Sequence, residues 1–382
     1  MAKTTNAPSY TAPLRDDPAD WLRLVRSRKV GPVTFHRLIE EHGSVTEALR
    51  VLPEIARAAG VENYEACPVG VVLAEMKQAR AAGALMLRWG EVNYPRSLMD
   101  LADAPPILWA QGDVGLLARP MVAVVGARSA SSLGLRMARR LGESLGAAGL
   151  VVVSGLARGV DAEAHGAALM TGTVAVQAGG VDHVYPVENT RLAADILTHG
   201  CRLSEQPMGM EPQARHFPMR NRIISGLSRA VVVVEAAAKS GSLITAETAL
   251  DQGREVLAVP GHPFDARAAG CNRLIRDGAT LVRGAADVME ALGLTVADLA
   301  AREVTVPAAK AVEPQKFRTI TALHNQILAR QILDRLGPSP VAEDQLIRDL
   351  AMPASVVAPA LVVLELEGLI ERQAGGLLSR LN

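Results

Sequence analysis

Residues 121–161 read MVAVVGARSASSLGLRMARRLGESLGAAGLVVVSGLARGVD. An unbroken apolar run, Met121–Val125, leads into a turn of small residues, Gly126-Ala127-Arg128-Ser129. Helical spacing follows over Ser132–Ala148. A second apolar run, Leu150–Val153, ends in Ser154-Gly155-Leu156-Ala157-Arg158-Gly159 before another helical segment, Val160–Met170. Strands that are apolar along their whole length and joined by helices belong to a parallel sheet covered on both faces. The alternation continues through Thr173–Gln177, Cys201–Leu203, Val231–Val234 and Glu255–Val259, with a helical pattern over Ser242–Gln252. From Pro120 to about Val288 the expected fold is α/β, a doubly wound parallel sheet.

Outward from this unit the pattern changes. Residues 20–83 show apolar residues at three- and four-residue spacing (Trp21, Leu22, Val25, then Phe35, Leu38, Ile39), which predicts an all-helical piece. Val30-Gly31-Pro32 reads as a tight turn into a helix, of the kind that holds phosphate in helix-hairpin-helix modules. A plain packing turn is the favoured reading, because this piece is not basic. Short strand-like runs at Ala84–Trp89 and Ile107–Ala110, separated by Pro95, Pro105 and Pro106, read as edge elements. At the other end, VTVPAAKAVEPQK (304–316) has linker composition. Helical patterns at 319–336, 341–350 and 354–367 and a terminal hairpin then predict a winged helix. The expected division is 1–83 helical, 84–300 core, 301–316 linker and 317–382 winged helix.

The 382 residues carry 40 basic and 40 acidic side chains, but unevenly. Residues 1–118 are net −1, 119–283 net +4 and 284–382 net −3, so the core is mildly basic between two acidic ends. The three cysteines stand far apart with no CxxC, against a disulfide scaffold or zinc knuckle and in keeping with a reducing cytoplasm. No apolar run has the length of a membrane helix, and the polar start lacks the apolar stretch of a signal peptide. The expectation is a soluble cytoplasmic protein with no membrane contact.

In doubly wound sheets ligands sit beyond the carboxyl ends of the strands. Four loops fall there: 126–129, 154–159, Gln177-Ala178-Gly179-Gly180 and Ala238-Lys239-Ser240-Gly241-Ser242. Small residues let backbone amides approach an anion, and each loop precedes a helix, which favours a phosphate-bearing ligand. The sequence holds no Gly-x-Gly and no Gly-Lys, hence neither a dinucleotide fingerprint nor a P-loop. The densest cationic feature is QARHFPMRNRIISGLSRA (213–230), with four arginines and no carboxylate. Ile223, Ile224 and Leu227 give it a buried side, so Arg215, Arg220, Arg222 and Arg229 are expected on the exposed remainder, as a phosphate-tracking surface. Asp161, His165 and Ser154 could suggest a relay, yet a helix cap and packing explain Asp161 and His165 better. Eight scattered histidines show no metal spacing, and no catalytic set, metal or cofactor is expected.

In combination these residues resemble the DNA processing protein A (DprA/Smf) family. The resemblance runs through Val122–Arg128, SGLARGVD (154–161) with Ala164-His165, Tyr185-Pro186 with Asn189, and Ser204-Glu205. It continues through Phe217–Ser228, Val234-Glu235-Ala236, KSGSLIT (239–245), Gly253-Arg254-Glu255, Val259-Pro260-Gly261 and Gly270-Cys271-Asn272, and spans about residues 84–285. Two positions depart from the usual pattern: Ala127 stands where a serine is common, and Gly179-Gly180 replaces another glycine arrangement.

The resemblance implies a non-enzymatic protein that binds and protects single-stranded DNA and helps load the RecA recombinase in natural transformation. It also implies an extended Rossmann core that self-associates as a homodimer. Carried over by motif, Gly126, Arg128, Ser154, Gly155, Arg220, Asn221, Arg222, Lys239, Ser240, Gly241 and Ser242 are the expected DNA-binding residues. With 11 aromatic residues in all, phosphate contacts are expected to outweigh base stacking. The rival reading is a nucleotide-processing enzyme similar to the lysine-decarboxylase-like phosphoribohydrolases, whose PGGxGT loop this chain lacks. A transcription regulator acting through the winged helix is disfavoured, since residues 315–382 balance seven basic against seven acidic side chains.

Overall fold

A computed structural model describes residues 16–295 and, further on, 332, 333, 336, 341–350, 357, 361, 364, 365, 369–373 and 377–380. The chain divides into two units, Met1–Val304 and Thr305–Asn382. The proposed linker (301–316), the polar start and most of the helical pattern at 319–336 lie outside the described residues.

The first unit opens with four helices: α1 (Pro18–Arg26), α2 (Pro32–His42), α3 (Val45–Ala58) and α4 (Val69–Ala81). Their starts are written locally, with Asp17 and Ser44 accepting N–H bonds of α1 and α3 and Pro32 opening α2. Then follow β1 (Leu85–Arg88), α5 (Arg96–Met99), β2 (Ile107–Gly112), β3 (Met121–Val125), α6 (Ser132–Ala147), β4 (Val151–Ser154) and α7 (Val160–Ala168). The series continues with β5 (Thr173–Val176), α8 (Thr190–His199), β6 (Cys201–Ser204), α9 (His216–Leu227), β7 (Ala230–Val233) and α10 (Gly241–Asp251). It closes with β8 (Glu255–Ala258), α11 (Ala269–Arg276), β9 (Thr280–Leu281) and α12 (Ala285–Ala291). The strands read from sequence lie within one or two residues of these.

All nine strands form one sheet in the order β1-β2-β6-β5-β4-β3-β7-β8-β9. The seven from β6 to β9 are parallel, while β2 joins β6, and β1 joins β2, in antiparallel register. The edge elements thus extend a doubly wound parallel sheet into a mixed one. Alternation within each strand divides the core: Met121, Ala123 and Val125 face one side with Val151, Val153, Val231 and Val233. Val122, Val124, Val152 and Val232 face the other, against Leu141 and Leu145 of α6 and Ala164 of α7. Both faces are buried, which is why the strands read as unbroken apolar runs.

The helical piece is fastened to the sheet by charge as well as packing. Arg26 bonds both carboxylate oxygens of Glu75 (3.0 and 2.8 Å) and the Glu205 carbonyl (3.2 Å), and Trp109 of β2 donates to the same Glu75 at 2.8 Å. In the second unit β10 (Val341–Ala342), α13 (Glu343–Leu350), β11 (Ile370–Gln373) and β12 (Leu377–Arg380) form a sheet ordered β10-β12-β11. Leu346, Ile370 and Leu378 are among the residues of its core, a winged-helix arrangement.

Candidate functional site

From β3 the chain winds one way through β4, β5 and β6, then returns to the other side of β3 with β7. The loops after β3 and β7 therefore diverge, leaving a crevice at the carboxyl edge. A cleft of about 600 Å³ opens there. Of the expected residues, Gly126, Arg128, Arg220, Asn221, Lys239, Ser240, Gly241 and Ser242 all line it. Segments more than a hundred residues apart in sequence meet in it.

The four strand-end loops are not equivalent. The first turn of α6 is already occupied by the Glu235 carboxylate, which accepts from the Ser131 N–H at 3.1 Å and the Ser131 Oγ–H at 2.7 Å. A side chain at Gly134 would collide with that carboxylate, so the helix leaves room for it. In the second loop Asp161 accepts from the Gly155 and Ala157 N–H groups at 3.1 and 3.4 Å. The third is closed by the chain at 207–212, with the Gly180 N–H donating to the Met210 carbonyl at 2.8 Å. Only at the fourth, among these loops, does an open helix start remain: Ser240 caps α10, nothing stands within 4 Å of a Cβ at Gly241, and Lys239 is exposed beside it. The expectation that all four loops serve an anion is corrected, because internal carboxylates and carbonyls satisfy three of them.

The arginines of α9 also require correction. Arg220 is 5% exposed rather than on an outer face. Its Nη1 donates to the carbonyls of Gly155 and Val176 beneath the cleft, and a side chain at Gly155 would strike the guanidinium. Burial lowers Arg220 to about 10, against the attraction of Asp161, so it stays charged at neutral pH; burial likewise pushes Asp161 up against the pull of Arg220. Arg222 lies outside the cleft altogether: it is ion-paired with Glu205 and donates to the Asp103 carbonyl at 2.6 Å. It ties α9 to the end of β6 and to the loop between α5 and β2. Two arginines two apart on a helix point about 200° apart, so both cannot serve one groove.

Ser154 is fully buried and donates its Oγ–H to the Val124 carbonyl at 2.7 Å, which removes it from the DNA-facing set. That proton is also unavailable to a relay. Thr173 donates to the Val152 carbonyl at 2.7 Å and lies 2.7 Å from His165 Nδ1, so the Nδ1–H of His165 donates to the Thr173 oxygen. Burial, with Arg220 adding repulsion, lowers His165 to about 3. Gly155 lines a small recess beside the cleft with Gln177, His183 and Tyr185.

Sequence reading missed Tyr185 as a site residue. Its ring, 49% exposed, lies 5.8 Å from Phe217, and Arg128 stands over the other ring at 5.2 Å. Arg267, also unforeseen, lines the cleft and stands 3.7 Å from Glu235. Nothing in the local pattern around either residue points to the cleft. Among the described residues no group of three or more His, Cys, Asp or Glu could hold a metal ion, and no helix is long and apolar enough to cross a membrane.

Three parts of the sequence match known families. Residues 85–293 match the DNA recombination-mediator protein A family, 15–78 the DprA-like N-terminal HHH domain and 321–376 the DprA winged helix domain. The DNA processing protein DprA of Bacillus subtilis is 46% identical over 203 residues, 52% of this chain and 68% of that protein. Protein Smf of Synechocystis is 30% identical over 94% of this chain and 97% of its own length. Among solved structures, DNA processing protein A of Streptococcus pneumoniae superposes with a TM-score of 0.60 at 36% identity, covering 71% of this chain and 97% of that one. The Helicobacter pylori protein, whose structure is described for its single-stranded DNA binding mode, gives 0.51 at 29% identity over 55% of this chain and 95% of its own.

Proposed function

This chain belongs to the DNA recombination-mediator protein A (DprA/Smf) family, and on that footing we propose that it binds single-stranded DNA along the cleft at the carboxyl edge of the sheet. The observation that carries this reading is the pairing of cations with open rings. Exposed Arg128 and Lys239 flank a helix start free to meet a phosphate, and Phe217 with Tyr185 offers flat surface next to them. Cations that meet phosphates and rings that stack on any base suit a strand of any sequence. The DNA-binding set is accordingly Gly126, Arg128, Asn221, Lys239, Ser240, Gly241 and Ser242, supported from below by Gly155 and Arg220 and joined by Phe217 and Tyr185.

We assign the chain a non-catalytic role: protecting incoming single strands and helping to load RecA in the cytoplasm during natural transformation, as a homodimer through its Rossmann-like core. The rival nucleotide-hydrolase reading is weakened by Glu235. In a Rossmann core the first helix start after β3 is where a nucleotide phosphate docks, and here a carboxylate is hydrogen-bonded there. The test is a mobility-shift comparison of single- and double-stranded oligonucleotides across a salt series, alongside chromatography of nucleoside monophosphates incubated with the protein. Preference for single strands with no released base supports the proposal. Equal affinity for duplex, or base release, overturns it.

A further inference from the structure

The loop between β8 and α11 carries Phe264, whose ring is 94% exposed in a chain with four phenylalanines. The backbone around it is firmly tied. Asn272 closes the base of the loop twice, accepting from the Gly261 N–H at 3.1 Å and donating to the Gly261 carbonyl at 3.0 Å. The Asp265 N–H donates to the His262 carbonyl and the Ala268 N–H to the Asp265 carbonyl, both at 2.9 Å. Arg267 holds the Asp265 carboxylate at 3.0 Å. The Phe264 N–H meets His262 Nδ1 at 3.3 Å, and the two rings lie 5.6 Å apart, tilted by 39°. An apolar ring held in water gains none of the burial that ordinarily fixes a phenylalanine.

Position and chemistry indicate what covers it. The loop leaves the carboxyl end of β8, next to the end of β7 from which Lys239 projects, and Arg267, three residues beyond Phe264, lines the cleft itself. Along this edge the order is the β5 loop with Tyr185, then Arg128 after β3, Lys239 after β7, and His262 with Phe264 after β8. Two pairs of flat rings therefore lie on either side of two exposed cations. A chain with regularly alternating negative charges and flat apolar faces complements that series; a folded protein surface does not require it.

We infer that Phe264, with His262, forms a second base-stacking station for single-stranded nucleic acid, reached by strands that extend past Lys239. The inference rests on the single-strand reading above. The test uses full-length protein and oligothymidylates of increasing length, followed by fluorescence anisotropy. Phe264→Ala is expected to weaken binding of the longer oligonucleotides about five-fold or more, leave the shortest unaffected, and keep the salt slope, since no phosphate contact is lost. In Phe264→Trp the new indole is expected to be quenched on DNA addition; the native Trp21, Trp89 and Trp109 are at most 3% exposed and remain silent. Unchanged affinity at every length, or an unquenched indole while anisotropy reports bound DNA, overturns the inference and leaves the cleft reading standing. So does a loss of DNA affinity that merely follows a loss of self-association in sedimentation, which would assign the ring to a second copy of the chain. Failure of the wild-type protein to bind any single strand overturns the parent reading, and this one with it.

Discussion

The carboxylate of Glu235 rests on the first turn of α6, 2.7 Å from the Oγ of Ser131. A side chain from the end of β7 thus occupies the anion site that the end of β3 creates. Glu235→Ala is expected to lose about 1–2 kcal/mol of stability, the worth of a cap with a favourable charge at a helix start. Millimolar phosphate or acetate is expected to raise the Tm of this variant and leave the wild type unmoved. Thermal melts with and without the anion measure it, and an equal response in both proteins contradicts the assignment.

Arg222 belongs to the scaffold. Arg222→Ala strands the Glu205 carboxylate, which burial already pushes up, without its partner. The expected loss is about 3–5 kcal/mol in urea unfolding, with most of it recovered when Glu205→Leu is combined with Arg222→Met. The salt slope of DNA binding is expected to stay at its wild-type value. A reduced slope in a stably folded Arg222 variant would return this residue to the groove.

Arg128 and Lys239 carry the opposite signature. Each alanine variant is expected to change stability by no more than about 0.5 kcal/mol. Each is expected to lower the slope of log affinity against log salt by about 0.7. Phe217→Ala separates stacking from charge, since it should weaken binding by about 1–3 kcal/mol at every salt concentration. Salt-series anisotropy distinguishes the two patterns.

His165 gives the core an acid sensitivity. Its ring titrates near 6.5 in the unfolded chain and near 3 in the folded one. As pH falls below about 6.5 the unfolded state takes up a proton that the folded state refuses, and stability drops by up to about 1.4 kcal/mol per pH unit until about pH 3. The raised carboxyl of Asp161 acts with the reverse sign, stabilising as pH falls, and is common to wild type and variant. His165→Asn is therefore expected to flatten the decline between pH 6.5 and 5, as read from urea midpoints. Parallel curves for the two proteins would refute it.

Deleting residues after Ala311 is expected to leave single-strand affinity within about two-fold of wild type, because the cleft lies wholly within the first unit. Anisotropy and sedimentation on the truncated chain check this together. A larger loss in a chain that still self-associates places the winged helix in the groove.

By itself the sequence determined the class of fold, because period and composition act locally. Both faces of β3, β4 and β7 are buried, and the strands read as continuous apolar runs for that reason. Of the eleven site residues that the family resemblance implied, eight line one cleft. What only the tertiary structure decided is which charges are free. Arg220 and Lys239 look alike in a list of cations, yet one is held by two carbonyls beneath the cleft and the other stands in water. Arg222 is consumed by Glu205, seventeen residues away, and the N–H and hydroxyl of Ser131 at the start of α6 by Glu235, a hundred and four residues away. Separation along the chain likewise hid Tyr185 beside Phe217. Whether a charge or a ring is available depends on partners brought in by crossovers of the chain, and no local pattern encodes those partners.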